Sequence, residues 1–295
     1  MGSNYAIVVL ANNMKFFKLM VQNFPSDIND YLLIVVNEQR IGDKIEQIEE
    51  ILQESICNNY KIFGSELILK KFKEEVIDNA FVDSYTMSMN ILSLWFVYRF
   101  NKRIEKVLLL DDDVILRDGL ADLFRNNKNV FKYNRLSAGM SDFFAQSLNA
   151  QEILFEWFKI FDIDFTLEWW QGVYLKKYAN SGQRLIVKTM FDLQEYEKKL
   201  KQFFESEIFE FAWNERRRHT SWYFDERFET FFFMETLNDD MKKYAVLVLS
   251  RPEKLKENYY RRLKETTIIH NATNSHKKDL YNEMIERGII RGDKI

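Results

Sequence analysis

Short, continuous apolar runs alternate with segments of helical spacing in the first third of the chain. Residues 5–11 and 31–36 are runs of aliphatic and β-branched residues, whereas residues 15–23 and 41–56 place apolar residues three or four positions apart. The runs are typical of strands buried on both faces, and the spaced segments are typical of amphipathic helices. The chain therefore opens β-α-β-α, which predicts an α/β fold with a mostly parallel sheet covered by helices.

The most strand-like run of the chain covers residues 106–110, and three aspartates follow it directly. A strongly apolar helix is predicted before it at 87–100, and a short helix after it at 119–124. Further along, the pattern predicts helices at 195–211 and 253–264, strands at 244–249 and 266–270, and then a polar tail.

Neither a repeat nor a linker interrupts this pattern. We therefore expect one catalytic domain over residues 1–295. Two regions stand out within it: a largely helical insertion or acceptor-side region at about 191–243, and a C-terminal metal and diphosphate segment at about 266–280.

Composition narrows the class of protein. A net charge of −3, with 46% hydrophobic and 29% charged residues, is ordinary for a globular chain and gives no overall field that attracts nucleic acid or an anionic membrane. A single cysteine, Cys57, excludes a disulfide framework and fits a reducing compartment. Because no run reaches the roughly 20 apolar residues of a membrane span, we expect a cytoplasmic protein.

The acidic triplet Asp111, Asp112 and Asp113 is the first candidate site. Carboxylates at the end of a buried strand repel one another and are costly to desolvate. Alternation along a strand places Asp111 and Asp113 on one side and Asp112 on the other. A divalent cation between Asp111 and Asp113 would offset the repulsion, and oxygen ligands suit Mn²⁺ or Mg²⁺. The alternative is a solvated acidic turn.

His270 is the second candidate, because it ends a short apolar strand near the C-terminus. A neutral imidazole is a suitable third ligand for a transition metal such as Mn²⁺. Lys277 and Lys278 follow it and suit a diphosphate. The alternative is a capping histidine before a solvated basic tail.

At this point the sequence resembles a known family. Residues 89–124 contain a helix, an apolar strand, D-x-D, a short extended run and a helix that ends in Leu123 and Phe124. This order resembles the metal-binding segment of the retaining glycosyltransferases of family 8, which include glycogenin and bacterial galactosyltransferases. The resemblance implies a GT-A fold, the Rossmann-like fold of nucleotide-diphospho-sugar transferases. It also implies a nucleotide-sugar donor, a UDP-sugar, and transfer with retention.

Other segments fall in the family's order and imply further site residues. The implied metal ligands are Asp111, Asp113 and His270, with Mn²⁺ (or Mg²⁺) as the cofactor. The candidate donor contacts are Ala11, Asn12, Asn13, Asp112, Ala138, Gly139 and Lys277, and the candidate catalytic residues are Gln171 and Asp112. Several positions depart from the family pattern, namely Ser137, Trp170, Gly172, Thr273 and His276. They indicate a divergent member or a sister family with the same fold.

The acceptor is indicated only by a local feature. Arg216, Arg217 and Arg218 stand together among aromatic residues, which suits an anionic acceptor, nucleic acid included. A solvated helix face is the other interpretation.

Three other functions stay open at this stage. One is a glycosyltransferase that acts on modified DNA bases, and another is a non-catalytic binding protein with the GT-A fold. The third is a phosphatase of the haloacid-dehalogenase type, whose first motif also places D-x-D after an apolar strand. Ile115 stands where that motif needs threonine or valine, and two strands precede the triplet here.

Overall fold

The computed structural model describes residues 3–37, 44–77, 89–133, 156–164, 166, 168, 179–206, 224–248, 252, 255–271 and 276–294. The strands in this part of the chain are β1 (Tyr5–Ala11), β2 (Leu32–Asn37), β3 (Tyr60–Gly64), β4 (Lys106–Asp111), β5 (Val114–Leu116), β6 (Val130–Tyr133), β7 (Ala179–Val187), β8 (Ala245–Val248) and β9 (Ile268–Asn271). The helices are α1 (Met14–Gln22), α2 (Ile45–Gln53), α3 (Ser65–Glu75), α4 (Met89–Phe100), α5 (Leu120–Phe124), α6 (Leu193–Phe204), α7 (Phe224–Phe232), α8 (Glu257–Lys264) and α9 (Lys277–Glu286).

Six strands form a central sheet in the order β3-β2-β1-β4-β7-β6. The first four are parallel, and β7 runs antiparallel to both of its neighbours. A second sheet has the order β5-β9-β8, in which β9 is antiparallel to β5 and parallel to β8. The predicted α/β fold with a mostly parallel sheet is confirmed.

Both faces of the central sheet are covered. Side chains of α3, α4, α6 and α7 pack on one face, and α1, α2, α5 and the second sheet cover the other. Successive residues of β1 therefore point alternately into two apolar layers, which is why the strand is a continuous apolar run. None of the helices in the described ranges is both long enough and apolar enough to cross a membrane.

The C-terminal prediction was wrong in one respect. A polar tail was expected after residue 270, but α9 forms at Lys277–Glu286. Leu280 and Tyr281 lie four and three positions before Met284, and all three are buried, which anchors a largely polar helix. Because α9 begins directly at the basic pair of the predicted diphosphate segment, the missed helix bears on the candidate site.

An ion pair without solvent exposure joins the central sheet to α7. Arg184 of β7 lies opposite Leu109 of β4 in the sheet, and its Nε is 2.7 Å from Oε2 of Glu229. The two side chains are 0% and 1% exposed. A buried charge is tolerated only while its partner remains, so the contact ties α7 to the sheet. Both α6 and α7 fall within the expected insertion at 191–243, whose separate status stays a prediction.

We predict that either single variant, Arg184→Met or Glu229→Leu, lowers the free energy of unfolding by about 3–5 kcal/mol, because each leaves an uncompensated buried charge. The double variant should be closer to the wild type than either single variant. Urea denaturation followed by circular dichroism measures all four proteins. Single variants that unfold at the wild-type urea concentration would contradict the structural role of the pair.

Candidate metal centre

The acidic triplet lies at the carboxyl edge of the central sheet, where a tight turn joins the two sheets. Strand β4 ends at Asp111, and β5 begins at Val114. Strand β9 pairs with β5 so that Val114 lies opposite His270. The pairing brings a histidine from the far end of the chain to the acidic turn.

Three side chains converge at this turn. Asp111, Asp113 and His270 each offer one ligand atom, and these atoms all lie within 4.8 Å of one another. The Nε2 atom of His270 is 3.3 Å from Oδ1 of Asp113, and their side chains are 5% and 13% exposed. The predicted ligand set therefore forms a compact cluster that can hold one divalent ion.

The chemistry of the cluster fits a divalent cation. Oδ1 of Asp113 is buried and receives no well-directed hydrogen bond from the described residues, and the same is true of Nδ1 of His270. Two carboxylates and an imidazole are ligands that Mn²⁺ accepts. Asp111, Asp113 and His270 are therefore a potential metal-binding triad.

The carboxylate of Asp113 is held by helix α9 as well. Lys277 forms an ion pair with Oδ2 of Asp113, and the Tyr281 hydroxyl, one turn further on, donates to the Asp113 carbonyl. Burial alone would raise the pKa of Asp113, but the nearby His270 and Lys277 side chains outweigh it and hold the pKa below its usual value. The carboxylate is therefore in the charged form that a metal ligand needs.

Asp112 has a different environment from its two neighbours. It is 7% exposed, and its carboxylate accepts hydrogen bonds from the backbone N–H groups of Asn12, at 2.6 Å, and Asn13. Burial and the negative charge of Asp113 raise the pKa of Asp112 well above its usual value, while the two N–H groups act in the opposite direction. The side chain is thus engaged with the turn after β1.

The predicted donor contacts near the N-terminus lie beside the cluster. Ala11 ends β1, and Asn13 is the N-cap of α1, with its side chain accepting from the N–H of Lys15 at 3.1 Å. The contacts of Asp112 therefore bring the turn at residues 11–13 next to the potential ligands.

Several predicted site residues lie outside the described residues. They are Ala138, Gly139, Gln171, Arg216, Arg217 and Arg218. Among the described residues, Tyr281 is a member of the site that sequence reasoning missed. The available signal was its spacing of four from Lys277, which places both on one side of a helix.

No protein-family model matches this sequence, and no curated protein is similar to it in sequence. Solved structures share its fold. The apo structure of the bifunctional glycosyltransferase WbbM has a TM-score of 0.54 at 16% identity, and the match covers 97% of this chain and 50% of that one. The apo form of mouse xyloside xylosyltransferase 1 has a TM-score of 0.50 at 12% identity, covering 92% and 98%. The chain has the GT-A fold.

This GT-A chain spans about half the length of the bifunctional enzyme and nearly the whole of the xylosyltransferase. The predicted fold is therefore confirmed, and the structures that share it are glycosyltransferases. At this level of identity the likeness shows the architecture and leaves substrates to be tested.

We predict that His270→Ala weakens Mn²⁺ binding by at least about tenfold, because the change removes one of three clustered ligands. His276→Ala is the matched control, since its Nδ1 lies 3.6 Å from Asp279 at the start of α9 and the residue is not in the cluster. Isothermal titration calorimetry with Mn²⁺ compares the two variants. Equal loss in both variants would exclude His270 as a specific ligand.

Proposed function

We propose that this chain is a metal-dependent glycosyltransferase that moves a sugar from a UDP-sugar to an acceptor hydroxyl. The observation that carries the proposal is the Asp111, Asp113 and His270 cluster at the carboxyl edge of a GT-A sheet. Ligands of open α/β sheets bind at that edge. Bound there, Mn²⁺ or Mg²⁺ supplies the positive charge that stabilises a diphosphate leaving group.

We assign the residues around the cluster to different parts of the donor. Lys277 lies against Asp113, and we assign its ammonium group to a diphosphate oxygen. By the family resemblance, the turn at residues 11–13 contacts the nucleotide. Ala138 and Gly139 take the sugar side of the donor by the family resemblance.

Transfer with retention is the reaction that this set of residues supports. The bond between the anomeric carbon and the phosphate oxygen breaks, and the acceptor oxygen bonds to that carbon on the same face of the sugar. The acceptor proton passes to the leaving phosphate oxygen, which acts as the base. By the family resemblance Gln171 lies on the opposite face of the sugar, and an amide is a poor nucleophile, which favours this front-side path.

We predict that the chain releases UDP from a UDP-sugar in the presence of Mn²⁺, and that Asp111→Asn with Asp113→Asn abolishes the release. The double variant removes both anionic metal ligands while keeping the side-chain shapes. Mass spectrometry follows UDP-glucose, UDP-galactose, UDP-N-acetylglucosamine and UDP-xylose in parallel.

The control for this experiment is Asp122→Asn, which changes an exposed carboxylate of α5 that pairs with Arg125. The control should release UDP at the wild-type rate. Unchanged release from the double variant, or no release by the wild type from any of the four donors, would refute the proposed function.

From Arg216, Arg217 and Arg218 we propose that the acceptor is anionic, and nucleic acid is one candidate. The triple Arg→Gln variant should release UDP normally but bind a single-stranded DNA oligonucleotide more weakly. Fluorescence anisotropy measures that binding, which should also fall steeply between about 50 and 200 mM salt as counterions are released.

The matched control replaces the exposed Arg261, Arg262 and Lys264 of α8 with glutamine. This control removes the same number of charges from another part of the surface. Equal oligonucleotide affinity of the two triple variants would indicate that the three arginines form a solvated face and do not bind the acceptor.

A further inference from the structure

Asp112 stands between two potential metal ligands without joining their cluster. Its buried carboxylate accepts from the backbone N–H groups of Asn12 and Asn13, which lie 100 and 99 residues away in sequence. A carboxylate at 7% exposure needs such partners, because burying it without them is costly. The contact therefore joins two distant segments at one point.

The turn that Asp112 contacts leads directly into α1. Asn13 has an extended backbone, with φ −113° and ψ 106°, and its carbonyl accepts from the N–H of Phe17 at 2.9 Å. N–H groups at the start of a helix have no partner within the helix, and negative charge is favoured there. Asp112 thus fixes the backbone at the entry to α1.

The other side of Asp112 is equally constrained. Asp111 belongs to β4, where it is paired with Leu10 of β1. Asp113 is held by Lys277 and Tyr281. A displacement of the Asp112 backbone would therefore move a potential metal ligand on each side of it.

We propose that Asp112 is a positioning residue that sets the turn at residues 11–13 against the Asp111 and Asp113 ligands before the donor binds. It acts through Asn12 and Asn13, and its side chain links the nucleoside half of the donor site to the metal half. Placement of this kind matters because small displacements of donor contacts weaken binding and catalysis. The inference rests on the proposed function.

Two measurements on Asp112→Ala test the inference. Amide hydrogen exchange on the ligand-free chain should be faster at residues 12 and 13, because their N–H groups lose their acceptor. Calorimetry should show UDP affinity at saturating Mn²⁺ reduced by about tenfold or more, in line with the loss of two buried hydrogen bonds. Mn²⁺ affinity without nucleotide should stay within about threefold of the wild type, on the scale where tenfold is 1.4 kcal/mol.

Asp112→Asn and Asp122→Ala are the comparison variants. The asparagine retains an oxygen that can accept both N–H groups, so its UDP affinity should lie closer to the wild type than that of Asp112→Ala. Asp122→Ala removes an exposed carboxylate and should match the wild type throughout. A purely structural role for Asp112 would lower thermal stability without this graded, nucleotide-specific loss.

The outcomes separate the inference from the function on which it rests. Wild-type UDP affinity in Asp112→Ala, or unchanged exchange at residues 12 and 13, would overturn the positioning role while leaving the glycosyltransferase proposal intact. Equal loss of Mn²⁺ affinity and UDP affinity in Asp112→Ala would indicate that Asp112 is a metal ligand. This result would also overturn the positioning role. Absence of UDP binding by the wild type would instead refute the proposed function and, with it, the inference.

Discussion

The turn at residues 111–113 places three carboxylates at the end of an apolar strand, and the surrounding structure is arranged to compensate their charge. The four residues before the triplet are fully buried, so the aspartates enter a poorly solvated edge of the sheet. Like charges this close disfavour ionisation unless cations or hydrogen-bond donors face them. Asp112 and Asp113 both meet such partners, which come from the turn after β1, from β9 and from α9.

The second sheet and the C-terminal helix both contribute to this compensation. Strand β9 delivers His270 to Asp113, and α9 delivers Lys277 and Tyr281 to the same residue. The turn after β1 supplies two N–H groups to Asp112. Strand β9, helix α9 and the turn after β1 thus complete the site. A metal ion would add a positive charge shared by the potential ligands Asp111 and Asp113.

Fully buried elements were predictable, because they carry a strong apolar signal. Strands β1 and β4 are continuous aliphatic runs, and the triplet was conspicuous because it ended one of them. Strand β7 was missed, because buried Gln183 and Arg184 interrupt its apolar run. Arg184 is tolerated there through Glu229, a partner that the local sequence does not reveal.

The C-terminal helix α9 and its role in the site were both missed, for a different reason. Few of the residues in α9 are buried, and most of the rest are polar, so the segment has the composition of a tail. The ligand cluster itself was predictable from the order of the motifs, but the contacts around it were not. Hydrogen bonds from Tyr281 and from the turn after β1 depend on tertiary placement that no local pattern encodes.

We propose that Asp111, Asp113 and His270 together bind the metal that holds the donor diphosphate. Anomalous diffraction from a crystal grown with Mn²⁺ and UDP tests it most directly. We expect one manganese peak within coordination distance of both carboxylates and Nε2 of His270, with the UDP diphosphate on its open side. A manganese peak elsewhere, or UDP bound with no metal between the diphosphate and these three residues, would contradict it.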